Sequence, residues 1–203
     1  MIRRRIRTLG VLVVTLVVAA GCGGSSEAVF SGSRRDPAPT VDAVALPSVA
    51  PGQDPSSFSF RADDGSVLLV YFGYTSCPDV CPTTLADIAA ARASLGDDGD
   101  RVQLAMATVD PGRDTDEVLS AYVNGFVPGA VALRTEDDTQ LQAAADLFGV
   151  FYEVSTTDDG VIEVLHTGTL FGVDDAGTLL ASWPFGTTPT DLTNDLDILL
   201  KDA

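Results

Sequence analysis

The stretch Val67-Leu68-Leu69-Val70-Tyr71-Phe72-Gly73-Tyr74-Thr75-Ser76-Cys77-Pro78-Asp79-Val80-Cys81-Pro82 carries two signals in succession. Its opening run, Val67 to Phe72, is apolar without a break, as a strand buried on both faces requires. Its end sets Cys77 and Cys81 with three residues between them, ahead of Pro82, which suits the first turn of a helix. Both thiols therefore belong to a loop that leaves a central strand and enters a helix N-terminus. Free backbone N–H groups and the positive end of the helix dipole favour thiolate over thiol there. Thiolate is the form that a nucleophile or a metal ligand needs.

Downstream, strand and helix signals alternate. A helix is predicted to about Ser94, with Leu85, Ile88 and Ala89 along one face and Gly96 and Asp97-Asp98-Gly99 ending it. Val102 to Val109 reads as a second strand, and Asp114 with Glu117 three residues on predicts a capped helix that fades near Asn124-Gly125. Ala130 to Leu133 is a short strand, followed by a helix opened by Thr135 and ended at Gly149. Val150–Val154 and Val161–Leu165 flank Asp158-Asp159-Gly160, while Thr169–Val173 and Thr178–Trp183 flank Asp174-Asp175-Ala176-Gly177; both patterns predict hairpins. Thr188-Pro189 starts a last helix with Leu192, Leu196, Leu199 and Leu200 on one side. The order predicts an α/β fold: a central mixed β-sheet with helices on both faces, in one domain from about residue 58 to 203.

Ahead of the domain, Arg3, Arg4, Arg5 and Arg7 precede an apolar stretch from Leu9 to Ala20, which reads as an export signal. The sequence Ala19-Ala20-Gly21-Cys22, followed by Gly23-Gly24-Ser25-Ser26, resembles a bacterial lipoprotein cleavage box. That resemblance implies a signal peptide over residues 1–22 and lipidation of Cys22. An uncleaved anchor is the alternative, for which the apolar stretch is short. On either reading the body is held to the cell membrane on its outer, extracytoplasmic face. Residues 23–57, rich in Ser, Pro, Gly and Ala without a sustained apolar period, are expected to form a flexible tether. Four of the 12 basic residues lie in the leader, leaving 8 against 29 acids, a net charge of −21 for the mature chain. That balance argues against nucleic acid as a partner.

With Cys22 set aside, Cys77 and Cys81 are compatible with a disulfide, a redox-active dithiol or a metal site, since thiols tend to oxidise outside the cytosol. A disulfide closing so short a loop would restrain little chain entropy. The single histidine, His166, would complete a soft set of two thiols and one imidazole. Thiolates select Cu(I), an added imidazole and oxygen suit Cu(II), and zinc accepts the same donors.

The run Tyr71 to Pro82 is similar to the signature of the Sco/SenC copper chaperones, and Val109-Asp110-Pro111-Gly112-Arg113-Asp114-Thr115 is similar to a second segment of that family. His166 stands where the family's copper-binding histidine is expected. The resemblance implies a thioredoxin-like fold that binds copper, as Cu(I) or Cu(II), through Cys77, Cys81 and His166, with Asp79 in a supporting or transfer role. It also implies a part in assembling the dinuclear copper centre of cytochrome c oxidase. The partner would then be the oxidase's copper-bearing subunit, alongside other copper chaperones or thiol reductants. Family members carry a longer hairpin ahead of the central strand than Phe58 to Ser66 provides. Tyr71, Phe72 and Trp183 are expected as core or rim aromatics, and Asp110 and Asp114 as loop-shaping and capping residues.

The rival is a metal-independent thiol–disulfide oxidoreductase using Cys77 and Cys81. Thioredoxins, however, place two residues between their cysteines and a cis-proline opposite them, whereas Leu165-His166-Thr167-Gly168 offers no proline. Nor does Thr75, two residues before Cys77, fit the Thr-x-x-Cys pattern of peroxiredoxins.

Overall fold

The computed structural model describes residues 29–203; the leader and Cys22 lie outside the described residues. The chain forms β1 (Ala45–Val49), β2 (Ser56–Ser59), β3 (Val67–Gly73), α1 (Val80–Ser94), a 3₁₀ segment (Gly96–Arg101), β4 (Val102–Thr108), α2 (Asp116–Phe126), β5 (Val131–Leu133), α3 (Asp138–Phe148), β6 (Tyr152–Thr156), β7 (Ile162–His166), β8 (Leu170–Val173), β9 (Leu179–Trp183) and α4 (Pro189–Asp202). Seven strands make one sheet in the order β2-β1-β5-β4-β3-β8-β9, while β6 and β7 pair only with each other. β3 runs parallel to β4 and antiparallel to β8, so the sheet is mixed, and every residue of β3 is buried, as its unbroken apolar run predicts.

Neighbouring residues of a strand point to opposite faces, and β3 shows what covers each. Phe72 packs on Phe148 of α3, with ring centroids 5.5 Å apart, and Phe60 and Phe171 join the same aromatic cluster. Tyr71 points the other way, its hydroxyl 3.5 Å from Cys81 Sγ on α1. α1 packs in turn on α4 and α2. Helices thus flank both faces, the thioredoxin-like arrangement. Among the described residues no helix is long and apolar enough to cross a membrane.

The structure departs from the sequence reading between residues 29 and 57, expected as tether. This stretch is folded onto the domain. β1 and β2 form the far edge of the sheet, giving the hairpin that Phe58 to Ser66 alone is too short to provide. Further upstream, Ser33 bridges Ser182 and Thr40 bridges Thr178 along the free side of β9. The buried carboxylate of Asp195 accepts hydrogen bonds from the backbone of Ser31 and Gly32 and, at 2.8 Å, from Trp183 Nε1. Such pairing draws on backbone groups and on isolated anchors, Val41, Leu46 and Val49, all buried. A polar composition without periodicity does not announce it.

Two helix caps also differ. Thr115, not Asp114, caps α2 by accepting from Val118 N, and Asp137, not Thr135, caps α3. α4 is capped by Thr188 with Pro189 in the first turn, as the sequence predicts.

Candidate metal centre

Two structural units converge on one point. The first is the loop from β3 to α1. The Cys77 N–H donates to Tyr74 O, closing a turn directly after β3. α1 begins at Val80, so Cys81 lies in its first turn and faces inward, fully buried, while Cys77 sits just ahead of the helix with 9% of its surface exposed. The Cys81 N–H points at Cys77 Sγ over 3.4 Å, a use of a helix N-terminal donor that would otherwise lack a partner.

The second unit is the β6–β7 hairpin. Gly160, at φ +81°, makes the turn that Asp158-Asp159-Gly160 signals, and β-branched residues alternate along both strands. In register, Tyr152 opposes His166 and Val154 opposes Val164, so these share one face. Tyr152 and Val164 rest on the core, and this alternation turns His166 inward. Its ring meets Tyr74 and Tyr71 edge-on, at 5.7 and 6.2 Å between centroids. Nε2 comes to 3.6 Å from Cys81 Sγ.

The ligand atoms of Cys77, Cys81 and His166 all lie within 4.8 Å of one another. Both cysteines are free thiols rather than the disulfide the spacing also permits. Gly73 makes room for them: a Cβ there would stand 3.0 Å from Cys81 Sγ and 2.7 Å from Tyr71 Cε1. The Asp79 side chain is exposed, and the residue faces the site only through its backbone N–H, directed at Cys77.

The electrostatics treat the two thiols oppositely. Burial raises the Cys77 thiol, but the backbone N–H groups of Cys81, Asp79 and Val80 outweigh it, and the net shift is downward, toward thiolate. Burial dominates at Cys81 and pushes it up to about 12, with the charge of Cys77 adding to the rise. Burial lowers His166, against backbone hydrogen bonds that raise it, so the imidazole is neutral near pH 7. Its Nδ1 lies 3.2 Å from Thr167 O. A carbonyl only accepts, so Nδ1 carries the proton and Nε2 presents a bare lone pair toward the sulfurs. Two soft sulfurs and one tautomer-fixed imidazole fit a soft metal ion.

A family model described as SCO1/SenC matches residues 52–201. The chain belongs to the SCO1/SenC family. An SCO2-like protein of Rickettsia prowazekii is 37% identical over 115 residues, 56% of this chain and 56% of that protein. The match thus spans a little over half the relative's length. Among solved structures, the apo Sco1 protein from Thermus thermophilus superposes with a TM-score of 0.73 at 34% identity, covering 86% of this chain and 99% of the other. Bradyrhizobium japonicum ScoI, with copper bound, gives 0.63 at 28% identity over 76% of this chain and 96% of the other.

The sequence reading named all three residues that converge. It missed two others that shape the site, Gly73 and Tyr71 as a donor to Cys81, and it named Asp114 as loop-shaping without tying its carboxylate to the cysteine loop. Alternation along β3 sets Tyr71 and Phe72 on opposite faces, a signal in the sequence; Asp114, expected to shape a loop and cap a helix, shapes the cysteine loop and leaves the cap to Thr115.

Proposed function

We propose that this SCO1/SenC protein binds copper through Cys77, Cys81 and His166, and delivers it to, or reduces the cysteines of, the dinuclear copper site of cytochrome c oxidase. The carrying observation is the convergence of two thiols and one imidazole within 4.8 Å. The copper-bound state of the B. japonicum relative supports the choice of metal. Lipidated Cys22 would hold the domain to the outer face of the cell membrane, where the copper-bearing subunit of the oxidase would be the recipient.

Copper is the cargo, and the residues divide the work. Cys77, biased toward thiolate, makes first contact. Cys81 gives up its proton as it binds, which couples loading to proton release. His166, already neutral, adds its Nε2 lone pair without a proton step.

Titration of the reduced protein with Cu(I) against a chromophoric chelator tests this reading. One equivalent bound tightly, lost in Cys81→Ser and weakened in His166→Ala, is the expected result. Binding that ignores both substitutions, or no binding, would sink it.

The unequal thiols also favour a reductase reading, with Cys77 as attacking thiolate and Cys81 as the thiol that closes the disulfide. Turnover of a disulfide substrate by metal-free protein, unchanged in His166→Ala, would favour that reading.

A further inference from the structure

We infer that Asp114 is a positioning residue for the metal site, holding the cysteine loop through Thr75 in the conformation that brings Cys77 and Cys81 together. The inference rests on the copper reading above and deepens it.

Asp114 is fully buried, and among the described residues no cation pairs with its carboxylate. A buried carboxylate without a counter-ion persists only when dipoles satisfy it. Here Thr75 supplies two of them: its N–H donates at 3.1 Å to one oxygen, and its hydroxyl donates at 2.5 Å to the other. Thr108, at the end of β4, donates its hydroxyl at 2.6 Å. The oxygens are therefore occupied from two sides, and one side is the cysteine loop.

Thr75 is two residues before Cys77, inside the turn that Cys77 N closes on Tyr74 O. Holding Thr75 at both backbone and side chain fixes that turn, and with it the direction in which Cys77 leaves. Thr108 stands in register with Gly73, and Val109 N donates to Gly73 O at 2.9 Å. Asp114 thus ties the first residues of the loop to the strand next to the one the loop leaves. Its own position is fixed from behind, because Arg134 Nε donates to Asp114 O at 2.6 Å and Asp114 N donates to Asp110 O at 3.0 Å. This gives the segment Val109 to Thr115 a task at the site although none of its side chains is among the converging ligand atoms.

The task is separable from folding through Thr75, which is only partly buried. Thr75→Val removes the hydroxyl donor and keeps the size of the side chain. Thr75→Ser restores the donor in a smaller side chain. Outer residues that orient metal ligands typically change metal affinity about 10- to 100-fold when lost.

The experiment measures Cu(I) affinity by chelator competition and thermal unfolding of the metal-free chain for the wild type, Thr75→Val, Thr75→Ser, Asp114→Asn and Cys81→Ser. Asp114→Asn and Thr75→Val should weaken Cu(I) binding by about 10- to 100-fold, with Thr75→Ser within about twofold of the wild type. Wild-type affinity in Thr75→Val would overturn the positioning role. So would an equal loss in Thr75→Ser, or losses that only follow a lowered melting temperature. If the wild type binds Cu(I) no better than Cys81→Ser, the metal site falls, and the positioning role with it.

Discussion

Cys77 and Cys81 reach the candidate metal centre from a loop tied into the main sheet, whereas His166 reaches it from the end of a hairpin whose strands pair only with each other. The surroundings differ as much as the connections. Around the cysteines lie Tyr71 and Met106, both fully buried; along the hairpin Leu165 is 63% exposed and Phe151 59%. Two thiols thus sit on a buried loop of the main sheet, the seat, and the imidazole on a more exposed hairpin, the arm.

Hydrogen exchange offers the most sensitive way to break this comparison. Segments with few buried contacts open locally, while central strands exchange only on global unfolding. The amides of Val154 and Val164 should exchange at least about a thousandfold faster than those of Leu69 and Val70, a difference of roughly 4 kcal/mol. Equal protection in metal-free protein would show that the hairpin is as firmly seated as the sheet.

Substituting ligands tests the same division by affinity. Cys81→Ser should abolish stoichiometric Cu(I) binding, since it removes a soft donor from the seat. His166→Ala should leave Cu(I) bound but weakened, by roughly 10- to 1000-fold or about 1.4 to 4 kcal/mol. Cu(II), which favours imidazole more strongly, should lose more than Cu(I) in the same variant. If loss of His166 is as damaging to Cu(I) as loss of Cys81, the arm is not a secondary support.

The seat can also be strained from within. Gly73→Ala would place a methyl 3.0 Å from Cys81 Sγ and 3.1 Å from Met106 Cε in the closed interior of β3. Overpacking of this kind costs about 1–3 kcal/mol. Denaturant unfolding should show that loss in metal-free protein, with weaker Cu(I) binding beside it. An unchanged midpoint would mean that the seat yields more readily than its burial implies.

The same contrast explains what the sequence made legible. The seat is written locally: an apolar run gives β3, and cysteine spacing with a proline gives a helix entry, so strand, loop and thiols follow from residues 67–82. The hairpin was legible as a hairpin from its turn and its alternation. That its end lies beside Cys81 was not, because 85 positions separate the two residues and a lone histidine carries no spacing signal. The resemblance to Sco/SenC proteins supplied that placement. Asp114 was read as loop-shaping and as a cap, and only the cap failed, for a physical reason: an acidic residue three before Glu117 satisfies a capping pattern, yet Thr115 takes the cap while Asp114 turns inward to Thr75 and Thr108. The segment before Phe58 failed differently. Its hydrogen bonds run to sheet edges, and edge pairing leaves little trace in composition.

A pH titration of stability offers the smallest effects and reports each unit in its own window. His166 is held below its ordinary value by burial, so the unfolded chain takes up its proton first as pH falls through about 6.5. Metal-free protein should therefore lose stability on the acid side, and His166→Gln should flatten that limb. Cys81 is shifted the other way, from 9.0 to about 12. Between those values the unfolded chain releases the thiol proton while the folded chain keeps it, so stability falls as pH rises, by at most about 1.4 kcal/mol per pH unit. Cys81→Ser should remove the part of the alkaline limb that begins near pH 9 and leave the acid limb, while Tyr71, Tyr122 and Tyr152, all raised by burial, keep the part above about pH 10. Cu(I) loading should erase the Cys81 contribution, because the bound sulfur has already surrendered its proton. A loss of stability between about pH 9 and 10 that survives in Cys81→Ser would place the responsible group elsewhere than at this thiol.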